Sequence, residues 1–235
     1  MIRGAQRILH RSAAPCATLV LMLCLSQAAT PPVASASPYR PYPIQSPERR
    51  ELTRAYALAH YGIDDWRLID PQMIIVHYTA TDSESVSLST FKPARLGSDR
   101  NDIALGGELN VGVHYLIGKD GTIWSLLPES DMGRHAVGFN HLAIGIEMVA
   151  ATEKGLTPGQ LGAAARLVAD IARRNPSIVY LFGHHEYRQA SRAHFALYRE
   201  LQAGYLPPEK SDPGQAFMAA LRETLRKDFD LGLLD

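Results

Sequence analysis

Three segments carry side chains that could do chemistry together. Gly183-His184-His185-Glu186 follows a β-branched and aromatic run, Ile178-Val179-Tyr180-Leu181-Phe182, and reads as a short buried strand ending in imidazoles. Met73-Ile74-Ile75-Val76 is a second such run, and it ends in His77. Lys210-Ser211-Asp212-Pro213-Gly214 has turn chemistry and carries one carboxylate. Two strand-end imidazoles and one loop aspartate supply two nitrogens and one oxygen. Three protein ligands with an open fourth position is the arrangement of catalytic zinc. His77, His184 and Asp212 are therefore the candidate ligands of one zinc ion per chain. Glu147 is an acid that needs a reason for its place. It lies in an apolar strand over residues 143–149, where Ile144, Ile146 and Met148 share one face and Gly145 and Glu147 share the other. An unpaired buried carboxylate is costly. Glu147 must either pair with a base or face a water-filled cleft beside the metal.

The elements that position these groups can be read from caps and periodicity. Ser46-Pro47-Glu48 starts a helix that runs to about His60, with Gly62 as its stop. His60 near that helix end suits the dipole and takes no catalytic role here. Residues 83–91 read as a short helix, and residues 92–110 as a glycine-bearing loop of the kind that often binds ligands. Residues 111–127 form a hairpin around Lys119-Asp120-Gly121. Thr157-Pro158-Gly159-Gln160 is a capping box for a helix through Arg174, ended by Asn175-Pro176. Residues 188–202 read as helical, and a last amphipathic helix spans about 215–229, with Phe217, Leu221 and Leu225 inside. Strands alternate with helices around one hairpin, which predicts an α/β single domain: a central mixed β-sheet flanked by helices. Ligand sites in such sheets lie beyond the carboxyl ends of strands, where His77 and His184 fall.

Composition narrows the partners. The chain has 24 basic and 24 acidic side chains, a formal net charge of zero, which argues against nucleic acid and against electrostatic attachment to an anionic membrane. The N-terminus reads as a secretory signal peptide over residues 1–36: Arg3, Arg7 and Arg11, an apolar run over 17–25, and a small-x-small site at Ala34-Ser35-Ala36. That run is too short for the roughly 20 residues of a membrane span, so no transmembrane segment is expected in the mature chain. Both cysteines, Cys16 and Cys24, lie in the signal region, so the mature chain has no disulfide. Lipid attachment at Cys24 is the lesser reading, because Leu23 stands where lipoprotein signals usually have a small residue. The expected organisation is signal peptide 1–36, linker 37–45 and catalytic domain 46–235, exported to the periplasm or secreted.

In this order along the chain come Ile74-Ile75-Val76-His77-Tyr78-Thr79-Ala80, Gly112-Val113-His114-Tyr115-Leu116-Ile117 with Asp120-Gly121, and His135-Ala136-Val137-Gly138-Phe139-Asn140. Ala143-Ile144-Gly145-Ile146-Glu147, Gly183-His184 and Lys210-Ser211-Asp212-Pro213-Gly214 follow. Together these segments resemble the zinc-dependent N-acetylmuramoyl-L-alanine amidases, which share a fold with peptidoglycan recognition proteins. The resemblance implies zinc ligation by His77, His184 and Asp212, with Glu147 as base for a zinc-activated water and Lys210 stabilising the oxyanion. The substrate it implies is peptidoglycan or a muropeptide, cut between N-acetylmuramic acid and L-alanine. Residues 185–209 are a departure, because many members place the last histidine and the aspartate close together.

Blander roles stand beside these. Asp212 could simply cap the last helix, Glu147 could be an ion-pair partner, and Lys210 a solvated charge. His135 and Asn140 are candidate substrate contacts or loop-stabilising groups. His114 reads as core, His185 as structural, His194 as exposed, and Glu186 as a partner for Arg188. The rival to the enzyme is a peptidoglycan-binding protein that uses the same cleft without cutting. A peptide endopeptidase is a third reading, and the His-Glu-x-x-His helix of the commonest metalloproteases is absent.

Overall fold

The computed structural model describes Met1, residues 38–98 and residues 100–235. The expected signal peptide, apart from Met1, lies outside the described residues. No described helix is long and apolar enough to cross a membrane.

Six strands make one mixed sheet: β1 (Arg40–Pro41), β2 (Met73–Tyr78), β3 (Tyr115–Ile117), β4 (Ile123–Ser125), β5 (Ala143–Met148) and β6 (Tyr180–Gly183). Their spatial order is β1-β4-β3-β5-β2-β6. Strands β3, β5, β2 and β6 run parallel, and β4 returns antiparallel to β3. Four helices complete the α/β domain: α1 (Pro47–Tyr61), α2 (Glu84–Phe91), α3 (Pro158–Arg174) and α4 (Gln215–Phe229). Their caps explain their limits. Ser46 accepts from the Arg49 amide and Gly62 closes α1 in the left-handed conformation at φ 64°. Thr157 and Gln160 cap α3 reciprocally, and the Gln160 amide also donates to the carbonyls of Ile117 and Val149, which ties α3 to the sheet.

Period two divides the central strands between two surroundings. Ile74 and Val76 of β2 and Ile144, Ile146 and Met148 of β5 pack with Leu167 and Val168 of α3 and Leu221 and Leu225 of α4. Side chains such as Ile74 and Ile144, fully buried there, each contribute about 1.5–3 kcal/mol. Met73, Ile75 and Ala143 face the other way, into a cluster with Ala136, Phe139, Phe182 and Tyr187. His77 and Glu147 continue that second face to the carboxyl ends of their strands.

Two expectations are corrected here. The described part of the expected linker 37–45, residues 38–45, is not free: Arg40 and Pro41 pair with Trp124 and Ser125, and the Tyr42 and Ile44 amides donate to Ser125 and Leu126. Pro41 is tolerated because β1 is an edge strand. Residues 188–202 are not a helix and contain only a 3-10 turn, Ala193–Leu197. Its internal backbone bonds are isolated turns, such as the Arg192 amide to Gln189 and the Tyr198 amide to Phe195, and others lead outward: the Arg199 amide donates to Gly138 and the Leu201 amide to His60. As a strap it lays Phe195, Leu197 and Tyr198 on the Phe139–Phe182 cluster. It also buries His194, expected at the surface, in a stack on Phe182 with ring centroids 3.9 Å apart.

Candidate active site

Parallel register brings the chemistry to one end of the sheet. His77 pairs with Glu147 across β2 and β5, and Val76 pairs with Gly183 across β2 and β6. His184 therefore leaves β6 beside His77, in a 3-10 turn His184–Glu186. Asp212 comes from the loop before α4. The His77 and His184 Nδ1 atoms are 2.9 Å apart, and Asp212 Oδ2 lies 3.3 Å from the first and 3.2 Å from the second. Ligand atoms around a tetrahedral zinc at about 2.1 Å lie about 3.4 Å from one another. This buried triangle of two nitrogens and one oxygen thus fits a metal ion. Burial and the neighbouring His77 push the His184 imidazole down to about 4, toward the neutral form that a metal ligand needs. Burial opposes the charge of Asp212, but the two imidazoles outweigh it and hold the carboxyl well below the usual carboxylate range.

The ligand loop is held from both ends. His185 donates from its backbone amide to the Asp212 carbonyl at 2.8 Å, and its Nδ1 lies 3.1 Å from the same oxygen. Helix α4 has Gly214 at its N-cap with no side-chain cap, and Glu153 accepts from the amides of Ala216 and Phe217 instead. Asp212 is therefore not spent on the helix. Glu186, expected to pair with Arg188, accepts from Arg222 and from the Gly183 amide and forms an ion pair with Arg192. Arg222 is 36 residues away in sequence, so local spacing could not reveal it.

Glu147 is partly exposed, but its Oε2 is enclosed and has no hydrogen-bond partner among the described residues. Burial pushes this carboxyl well above its ordinary value; the Asp212 charge adds to that and the Lys210 charge opposes it. Lys210 lines a cavity of about 60 Å³ with Arg100, His135, His184, Tyr187 and Tyr205. Arg100, Tyr187 and Tyr205 had no signal in the sequence that marked them as site residues. His135 lies with its Nδ1 3.1 Å from His77 Nε2. Asn140 is fully buried, accepts from the His135 and Ala136 amides and donates to Tyr56 and Tyr61, which fills its amide within the fold. His114 is core: its Nε2 meets the Asp131 carbonyl, and its Nδ1 accepts from the Gly145 amide.

A mixed α/β domain with a candidate metal site beyond its parallel strands is the class that fold and site define. The chain belongs to the N-acetylmuramoyl-L-alanine amidase family, whose model matches residues 67–215. It is 30% identical over 173 residues to a peptidoglycan-recognition protein of Drosophila melanogaster, a match that covers 71% of this chain and 83% of that protein. It is 35% identical over 86 residues to the endolysin of Escherichia phage T7, covering 34% of this chain and 56% of the endolysin. Its fold matches a crystal structure of an AmpD derivative with a TM-score of 0.52 and 20% identity, over 80% of this chain and 95% of that one.

Proposed function

We propose that this cell-wall amidase relative is a zinc enzyme that hydrolyses the amide between N-acetylmuramic acid and L-alanine in peptidoglycan or its fragments. His77 and His184 would hold zinc through Nδ1 and Asp212 through its carboxylate. The observation that carries this reading is the ligand triangle with an unpartnered carboxylate beside it. Zinc in such a site brings the pKa of a water from about 16 to about 7 and polarises a carbonyl. Glu147 takes a proton from the attacking water at its carboxylate and passes it to the departing alanine amine. A carboxyl whose proton affinity is raised by burial suits both halves of that transfer. Lys210, on the ligand loop, places a positive charge toward the oxygen where negative charge develops. The N-terminal sequence supports export to the periplasm or outside the cell, with a lipid-anchored form at Cys24 as the lesser reading.

The test is product analysis on a defined muropeptide. The expected result is free stem peptide with an alanine amino terminus, lost on chelation and restored by zinc. Tight muropeptide binding without cleavage, in protein holding about one zinc, would replace the enzyme with a peptidoglycan-binding protein.

A further inference from the structure

His77 has two ring nitrogens, and both are engaged. Its Nδ1 faces His184 and Asp212, and its Nε2 faces His135 Nδ1 at 3.1 Å. When Nδ1 gives its lone pair to a metal, the ring proton of neutral His77 must sit on Nε2. The group opposite must then be an acceptor. His135 can accept at Nδ1 only as the tautomer protonated on Nε2, and its Nε2 lies 3.4 Å from the Ala143 carbonyl, which takes that hydrogen. The proton inventory closes along His77, His135 and Ala143 without any charged group.

The surrounding structure is built to hold this ring. A Cβ at Gly145 would lie 2.8–2.9 Å from three His135 ring atoms, so the ring occupies the space left by a missing side chain. Asn140 anchors the His135 backbone and is itself held by two tyrosines of α1. The rings of His77 and His135 meet edge to face, with centroids 5.1 Å apart.

We infer that His135 is a positioning residue for the metal site: its neutral imidazole accepts a hydrogen bond from His77 Nε2 and so selects the tautomer and ring orientation that ligate. Metal-bound histidines usually donate to a carboxylate, carbonyl or water; here an imidazole fills that place. The inference rests on the zinc reading above. It replaces the expectation that His135 contacts substrate.

The test combines zinc affinity with a tautomer measurement. Chelator competition would be run on the parent, on His135→Leu, which removes the acceptor, and on His135→Asn, which keeps an oxygen near the Nδ1 position. Each metal-free variant would first be checked for a cooperative melt. Loss of such a partner typically weakens metal binding 10–100-fold. That loss is expected for His135→Leu, with His135→Asn within about threefold of the parent by the same reasoning. In the zinc-loaded parent, two-bond ¹H–¹⁵N spectra should place the hydrogens of both His77 and His135 on Nε2, a readout that needs no variant to fold. Parental zinc affinity in His135→Leu with a raised KM would make His135 a substrate contact and overturn the inference alone. A hydrogen on His135 Nδ1 would do the same. A parent that takes up no zinc would overturn the metal reading and this inference with it.

Discussion

Two acidic side chains flank the ligand triangle, and their surroundings are opposite. Glu186 accepts from the Gly183 amide at 2.8 Å, from both Arg222 terminal nitrogens at 2.7 and 3.1 Å, and lies 3.1 Å from Arg192. Burial opposes its charge, but these donors outweigh burial and lower its pKa. Glu147 has an enclosed oxygen with no hydrogen-bond partner among the described residues, and burial raises its pKa. A saturated carboxylate has no capacity left for substrate, whereas an unpartnered one destabilises the fold and is available to it. The contrast separates a group that builds the turn carrying His184 from one left open, as the proposed base would be.

The comparison can be broken at several points. Asp212→Ala removes the one carboxylate of the triangle, and activity should fall to background with zinc lost on dialysis; metal content and turnover read this directly. Lys210→Ala should keep zinc and lower kcat by about 10²–10³-fold, the usual loss for one oxyanion donor. Glu186→Gln should leave kcat within a few-fold and lower stability in urea melts by about 2–3 kcal/mol. That is at or below the low end for breaking a buried pair, because side chains of Arg192 and Arg222 are 26% and 20% exposed.

The smallest effect, pH dependence of stability in chelated protein, should have opposite signs at the two acids. The folded pKa of Glu186 is depressed, so its contribution is present above the ordinary value of 4.5 and is lost as pH falls through the folded value. The folded pKa of Glu147 is raised, so its contribution is present below 4.5 and is lost as pH rises toward the folded value. Glu186→Gln should flatten the acid side of a pH–stability curve measured by urea melts, and Glu147→Gln the side above pH 4.5. Equal slopes for both variants would dissolve the contrast.

Much of this arrangement was legible in local patterns. Caps set α1 and α3, and apolar runs marked β2, β5 and β6 with a histidine at two of their ends. What stayed hidden depends on contacts between distant segments. The strap over residues 188–202 takes its path from bonds to Gly138 and His60, so its local helical look did not decide its structure. The edge strand at Arg40 pairs with Trp124, and no composition near Pro41 announces that. Likewise, the closeness of His135 to His77 follows from a loop anchored by Asn140 on α1. Sequence marked both residues as candidates without the contact that joins them.

The most direct measurement compares the parent with Glu147→Gln for zinc content and for release of stem peptide from one defined muropeptide. One zinc in each protein, with turnover in the variant lower by about 10²–10⁴-fold, is the predicted result. A variant that holds zinc and releases peptide at the parental rate would contradict the assignment of the open carboxylate as the base.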